Sequence, residues 1–302
     1  MGDDKELLKE VLLAKLDGFE SIHLEYIAGG LGPSKDESKK LKLILNKIGD
    51  DKELLEEVLM AKGVADYTLL HSVVHSKERK SIEIILDKIG DNEELLTKVL
   101  LAKNCRGNTP LHEALQYDNT ISDYASPILR KIANNHELLE KILLAKNDRG
   151  NIPLHEAGSK MTEVIFRGYN RELLEKILST KNNLGHTPLE EADAKKTEII
   201  LDAEGHYNYY LLQKFISAKN EQGRTILHEA DSAKTKVILQ KILDLYKINN
   251  CDPEIRTELK NLYRSMAKKL LYKGDNKCNT AYDLANEDKK KVIEFYMKEF
   301  EK

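Results

Sequence analysis

The sequence predicts an all-α chain, a helical solenoid with about three helices per repeat, running as a single array over residues 1–302. Three observations carry this. A segment of fourteen residues recurs along the chain, as GDDKELLKEVLLAK from Gly2 and GDDKELLEEVLMAK from Gly49, identical at twelve positions. A turn and a short helix follow each copy. Aromatic residues make up only 6%, with no Trp and 5 Phe, too few for a β-sandwich or barrel. Self-similarity of this kind marks an array and comes before any other fold assignment.

The recurring segment reads as an amphipathic helix. Further copies begin at Gly90, Ala133 and Gly168, and weaker ones at His206 and around Met266 to Lys273. In the copy from Ala133, Leu138, Leu139, Ile142 and Leu143 form one stripe of a 3.6-residue period. Glu137, Glu140 and Lys141 fall away from it. Asp50 with Glu53, Asp91 with Glu94 and Asn134 with Glu137 have the spacing of an N-cap and its third helical residue.

The second element reads NCRGNTPLHEA from Asn104, NDRGNIPLHEA from Asn147, NNLGHTPLEEA from Asn182 and NEQGRTILHEA from Asn220. Degenerate forms start at Gly63 and Asp275. Gly107, Gly150, Gly185 and Gly223 supply the positive φ of a tight turn. Thr109 suits an N-cap, and Pro110 suits the first helical position, where a missing amide costs nothing. A third element, such as IEIILDKIG from Ile82 or TKVILQKIL from Thr235, predicts a short apolar helix that is largely buried.

The string G-x-T-P-L-H-x-A followed by a second helix resembles the ankyrin repeat, from about residue 60 to the end. The chain departs from that family in its period. Thr68, Thr109, Ile152, Thr187, Thr225 and Thr280 are 41, 43, 35, 38 and 55 residues apart, against about 33 in the family. The surplus is the ELLEKILLAK helix, so the fold expected is an ankyrin-like solenoid with a third helix and without the usual finger-like hairpin. Residues 1–60 read as a degenerate N-terminal repeat or cap, with a decayed turn and loop over 16–40. Residues 61–243 read as core ankyrin-like repeats. An insertion and extra helix, beginning near Pro253, occupy 244–274, and a C-terminal capping repeat occupies 275–302.

Composition narrows the function. A net charge of −3 and a pI near 6.3 suggest no nucleic-acid partner. Three scattered cysteines, Cys105, Cys251 and Cys278, form neither a disulfide framework nor a zinc motif, which fits a reducing, cytoplasmic setting. No apolar run is long enough for a signal peptide or a membrane span. No catalytic constellation, metal motif or cofactor loop stands out, so the chain reads as non-enzymatic. Gly29 to Pro33 is a loop, and Lys289, Lys290 and Lys291 read as a solvated face.

His71, His112, His155 and His228 share one repeat position, replaced by Glu190 in another repeat. Histidines of this string in the resembled family bond neighbouring backbone and fix the turn. Glu113, Glu156, Glu191 and Glu229 share the next position, which in that family faces the concave surface. Two readings stay open for them: a first-turn acid favoured by the helix dipole, or a charged column that steers a partner. On the second reading, lysine at Glu156 and Glu191 slows association and leaves the fold intact. The turn tips vary, as Arg106 and Asn108, Arg149 and Asn151, Leu184 and His186, Gln222 and Arg224.

A shared scaffold with variable tips points to a protein-binding surface formed by these residues. The chain also resembles lengthened ankyrin-repeat proteins of intracellular bacterial endosymbionts. That implies an effector with a host protein as partner, working in the host cell cytoplasm. A rival reading makes the chain the targeting region of a larger enzyme or toxin. An RNA-reading helical repeat is a third, disfavoured by the acidic column.

Overall fold

The computed structural model describes residues 2–13, 37–116, 124–168, 171–205, 214–246 and 271–301, with 261, 264, 265, 267 and 268. Of the decayed turn and loop expected over 16–40, residues 16–36 lie outside them, as does the extra helix near Pro253, while 37–40, expected as loop, are helical. Every regular element among the described residues is helical. The chain forms two compact units, Met1–Met161 and Thr162–Lys302.

In the first unit, α1 (Gly2–Leu13), α2 (Glu37–Ile48) and α3 (Lys52–Met60) lead to a 3-10 turn (Val64–Asp66). Two full repeats follow. They are α4 (Leu69–His75), α5 (Arg79–Ile89) and α6 (Glu93–Leu101), then α7 (Pro110–Gln116), α8 (Ser126–Ile132) and α9 (His136–Leu143), with α10 (Pro153–Glu156) opening the next. The second unit carries most of α11 (Ser159–Gly168), then α12 (Arg171–Ser179), α13 (Pro188–Glu191), α14 (Ala194–Gly205), α15 (Ile226–Glu229), α16 (Ser232–Tyr246) and α17 (Glu287–Glu301). Three helices per repeat is therefore the observed architecture. Within each unit, like packs on like. The short inner helices α4, α7 and α10 stack, the middle helices α2, α5 and α8 stack, and the third helices α1, α3, α6 and α9 stack. In the second unit α13 stacks on α15, and α14, α16 and α17 form a row.

The third helices follow from their sequence. Leu138, Leu139, Ile142 and Leu143 are all buried, each contributing about 1.5–3 kcal/mol of apolar burial. Glu137 and Lys141 pair on the outer face at 2.7 Å. Neighbouring copies are also matched by charge. The eighth residue of one copy meets the ninth of the next: Lys9 with Glu57 at 2.8 Å, Glu56 with Lys98 at 2.7 Å, Glu175 with Lys214 at 2.5 Å. These exposed pairs add little stability, but they favour one register. They also explain why the near-identical first two copies differ as Lys9 and Glu56, since each must oppose its own neighbour.

The caps sit one residue later than the spacing predicts. Asp51, Asn92 and Asn135 cap α3, α6 and α9, accepting the amides of Leu54, Leu95 and Leu138 at 3.0, 3.1 and 3.0 Å. The preceding chain decides this. The amides of these same three residues still bond back to Ile48, Ile89 and Ile132, which places Asp50, Asp91 and Asn134 inside the turn.

The middle helices are amphipathic rather than buried all round. In α5, Ser81, Ile82, Ile85, Leu86 and Ile89 are buried while Arg79 pairs with Glu83 on the outside. Among Lys289, Lys290 and Lys291, the first is no solvated residue. It is 4% exposed and donates to the His228 carbonyl at 3.3 Å. Lys234, at the same repeat position, donates to the carbonyls of Leu189 and Glu190 at 2.8 and 2.7 Å. Lys196, a third at this position, is equally buried. The cause is the length of the inner helix one repeat earlier. α10, α13 and α15 stop after four residues, where α7 runs for seven. A helix cut to one turn leaves carbonyls without amide donors, and at α13 and α15 a lysine from the middle helix of the next repeat supplies them. After the longer α7, the same position is Met161. Burial lowers both Lys234 and Lys289 from 10.5 to about 8.

The cap assignment has a direct check. Replacing Asn135 by Ala should cost about 1 kcal/mol in urea unfolding, and the same change at Asn134 less than half of that.

Candidate partner-binding turns

Every full turn closes on its first asparagine. Asn104 Oδ1 accepts the amides of Arg106 and Asn108 at 2.9 and 3.0 Å, and the Asn104 amide donates to the Asn108 carbonyl at 3.0 Å. Asn147, Asn182 and Asn220 repeat this with Arg149 and Asn151, Leu184 and His186, Gln222 and Arg224, all at 3.0 Å. Gly107 then takes φ +69, and a Cβ there would meet the Asp148 amide nitrogen at 2.7 Å. Glycine is needed both for the left-handed backbone and for the neighbouring turn that lies against it. Cys278 holds that place in the last turn at φ +64.

The carboxamide nitrogen of the same asparagine needs an acceptor, and the glutamates provide it. Asn104 Nδ2 donates to Glu113 at 2.8 Å, Asn147 to Glu156 at 3.2 Å and Asn182 to Glu191 at 2.6 Å. The fifth turn residue also turns toward the glutamate. Asn108 donates to Glu113 at 3.0 Å, Asn151 to Glu156 at 2.7 Å and Arg224 to Glu229 at 3.1 Å, while His186 lies 3.6 Å from Glu191. The two partners come and go together. Gly63 replaces the asparagine in the first turn and Ser72 the glutamate, and Asp275 with Leu284 does the same in the last. An aspartate has no N–H to donate, so no acid is required opposite. Asp275 instead accepts the amides of Lys277 and Asn279 at 2.8 and 3.0 Å and the Arg224 guanidinium at 3.3 Å. Burial alone would raise its pKa, but these bonds hold it at about 2.

The histidines fix the junction between turn and inner helix. The Thr68 amide can only donate, and it points at His71 Nδ1 at 3.3 Å, so the ring proton sits on Nε2. Nε2 then donates to the Asn108 carbonyl of the next turn at 2.9 Å. His112 repeats this with Thr109 and the Asn151 carbonyl, and His228 with Thr225 and the Asn279 carbonyl. Glu190 reproduces the local half only, accepting the Thr187 amide at 2.7 Å. Burial pushes His71 from 6.5 down to about 4 and lowers His112 and His228 as well.

Turns are tied to their neighbours through backbone and lysines. Cys105, Asp148 and Asn276 donate amides to the carbonyls of Ala65, Arg106 and Gln222 at 2.9, 3.2 and 3.0 Å. Lys103 reaches the Lys146 carbonyl at 2.8 Å, and Lys181 and Lys219 reach those of Lys219 and Gly274 at 3.2 Å.

The twelve candidate residues thus divide. Asn108, Glu113 and Asn151 are buried and bonded within the turns, and Asn108 Oδ1 also accepts Asn147 Nδ2 of the next turn at 2.8 Å. Glu156, His186 and Arg224 are half-buried in the same networks. Glu191 and Glu229 are exposed but tied to Asn182 and Arg224. Arg106, Arg149, Leu184 and Gln222 project outward, Leu184 at 70% exposure. The column of free charges is not present at Glu113, because its carboxylate is needed by two buried amides. Sequence reasoning missed the second turn residue, which varies as Cys105, Asp148, Asn183, Glu221 and Asn276 and is exposed throughout. In the first unit the tips border a polar recess of about 310 Å³, lined by Arg106, Gln116, Asp148, Arg149 and Glu156 among others. Among the described residues, no group of acidic, histidine or cysteine side chains is placed to hold a metal ion.

No protein-family model matches this sequence, and no curated protein matches it. Solved structures do. The chain is similar to the crystal structure of the ankyrin repeat domain of Bcl-3, described as a unique member of the IkappaB protein family. The TM-score is 0.54 at 15% identity, covering 91% of this chain and 97% of that one. The fold is that of an ankyrin-repeat solenoid.

Two measurements test the network. Glu113→Ala should cost about 2–3 kcal/mol by leaving the amides of Asn104 and Asn108 unpaired, while Glu113→Gln, keeping one acceptor, costs less. Unfolded histidine gains its proton near 6.5 and folded His71 only near 4. Stability should therefore be full above pH 6.5 and fall as the pH drops toward 4, by about 3 kcal/mol from His71 alone. A pH series of urea midpoints reads this, and His71→Gln should flatten it.

Proposed function

We propose that this chain is a non-enzymatic scaffold that binds another protein through its turn tips and the concave face beside them. Ankyrin-repeat folds generally serve in this way. The observation that carries the reading is the division within each turn. The first, fourth and fifth positions are held by bonds, while the second and third are exposed and change from repeat to repeat. A rigid backbone presenting varied side chains loses little entropy on binding, as a preorganised interface requires. The glutamates support the turns, and Arg106, Arg149, Leu184 and Gln222 make the contacts.

We further propose, from the resemblance to proteins of intracellular bacterial endosymbionts, that the partner is a host protein met in the host cytoplasm. Among the described residues, no helix is long and apolar enough to cross a membrane.

The test separates tips from scaffold. A partner captured from host lysate is bound to the wild-type chain and to the Arg106→Ala, Arg149→Ala, Leu184→Ala, Gln222→Ala variant. Affinity should fall at least about tenfold, with the thermal midpoint moved by no more than a degree or two. Unchanged affinity would remove the tips from the interface.

A further inference from the structure

Two of the four outward tip residues are arginines, Arg106 and Arg149, at the same place in consecutive turns of the first unit. Both are exposed, and both line the recess of about 310 Å³. A guanidinium carries five N–H donors and can only donate. Among the described residues, neither of these two has a hydrogen bond or an ion pair through its side chain. The carboxylates of the same turns are committed elsewhere. Glu113 is buried and takes the carboxamides of Asn104 and Asn108, and Glu156 takes those of Asn147 and Asn151. Asp148 Oδ1 lies over Gly107, where a Cβ would clash with it.

Arg224, in the second unit, shows what such a group does when acids are in reach. It donates to Glu229 at 3.1 Å and to Asp275 at 3.3 Å, and so sits between two carboxylates. Arg106 and Arg149 present the same fork outward. Lys103 and Lys146, exposed at the entrance of the same two turns, add positive charge. No aromatic side chain stands at either tip for a base to stack on, which favours an acidic peptide over a nucleic acid. Spacing narrows the choice further. Stacked repeats are separated by about one helix diameter, ~10 Å. In a polyproline helix, residues three apart share a face and lie ~9 Å from each other.

We propose that the first-unit tips take an extended, polyproline-type acidic segment of the partner, with carboxylates at every third residue, one on Arg106 and the next on Arg149. This rests on the reading of the tips as the partner-binding surface and names the chemistry they select.

The probe is an end-capped peptide of repeating Glu-Pro-Pro triplets carrying a fluorophore, titrated with the full chain and read by anisotropy. Saturable binding is expected, weakened by salt. Arg106→Gln with Arg149→Gln should weaken it by at least about tenfold, with the thermal midpoint unchanged because neither side chain is bonded. Arg106→Lys with Arg149→Lys should also weaken it several-fold, since lysine keeps the charge but loses the fork. Lys277→Gln, a tip cation of the second unit, should bind as wild type. A peptide of the same residues with its glutamates contiguous should bind more weakly. Absence of saturable binding, or equal affinity for wild type and the glutamine variant, would overturn the proposal. Equal affinity for the two peptides or for the lysine variant would do so too, by leaving only general attraction. An oligouridylate bound more tightly than the peptide, and lost in the same glutamine variant, would make the ligand a nucleic acid instead. The outcome is separable from that of the lysate partner. If the fourfold tip variant loses that partner while the peptide never binds, the tips remain an interface and the acidic segment is wrong. Peptide binding controlled by the two arginines, with the captured partner unaffected, keeps this site and removes the tips from that partner's interface.

Discussion

One asparagine carboxamide closes each full turn, and the remaining bonds of the repeat are arranged around it. A turn of this kind leaves amides that no helix can satisfy. Oδ1 of Asn104 takes two of them. Its Nδ2 then needs an acceptor, which Glu113 supplies from the first turn of the following helix, where the dipole favours an acid. Gly107 lets the backbone reverse inside this ring, and His112 ties the entrance of the helix to the carbonyl of the next turn. Each satisfied group creates the requirement for the next. Turns that lose the carboxamide, at Gly63 and Asp275, lose the acid with it.

Aliphatic burial and polar bonding divide the work of the array. The stripes of leucine and isoleucine give most of the stabilisation, but they are nearly alike in every copy and would accept several registers. The polar bonds choose among these. The charge pairs between third helices, the lysines that reach the following turn and the imidazoles that donate forward all connect one repeat to a fixed place on its neighbour. Such bonds contribute little each, and their value lies in direction.

The helices were legible in the sequence because their aliphatic pattern is strong and repeats. The turns were legible from glycine, threonine and proline. Cap positions were not, because Asp50 and Asp51, or Asn134 and Asn135, are chemically equivalent as text. Only the turn that ends the preceding helix selects the second of each pair. The supporting role of Glu113 was hidden for another reason: its partners lie five and nine residues earlier, beyond any helical spacing. Their joint disappearance in the first and last turns was nonetheless written in the sequence. The buried lysines were hardest to see. Lys289 stands in a basic run, and its role depends on the length of a helix in the preceding repeat.

That dependence bears on how such an array can change. A lysine such as Lys234 answers a truncation made one repeat earlier, and Met161 answers its absence. A repeat moved by recombination would carry its own inner helix but leave behind the residue that completes it. The heritable module of this solenoid is therefore the junction, a phase-shifted unit running from one inner helix to the middle helix that follows the next turn. Duplications with breakpoints outside that junction preserve the array, and those that cut through it expose bare carbonyls or strand a buried ammonium.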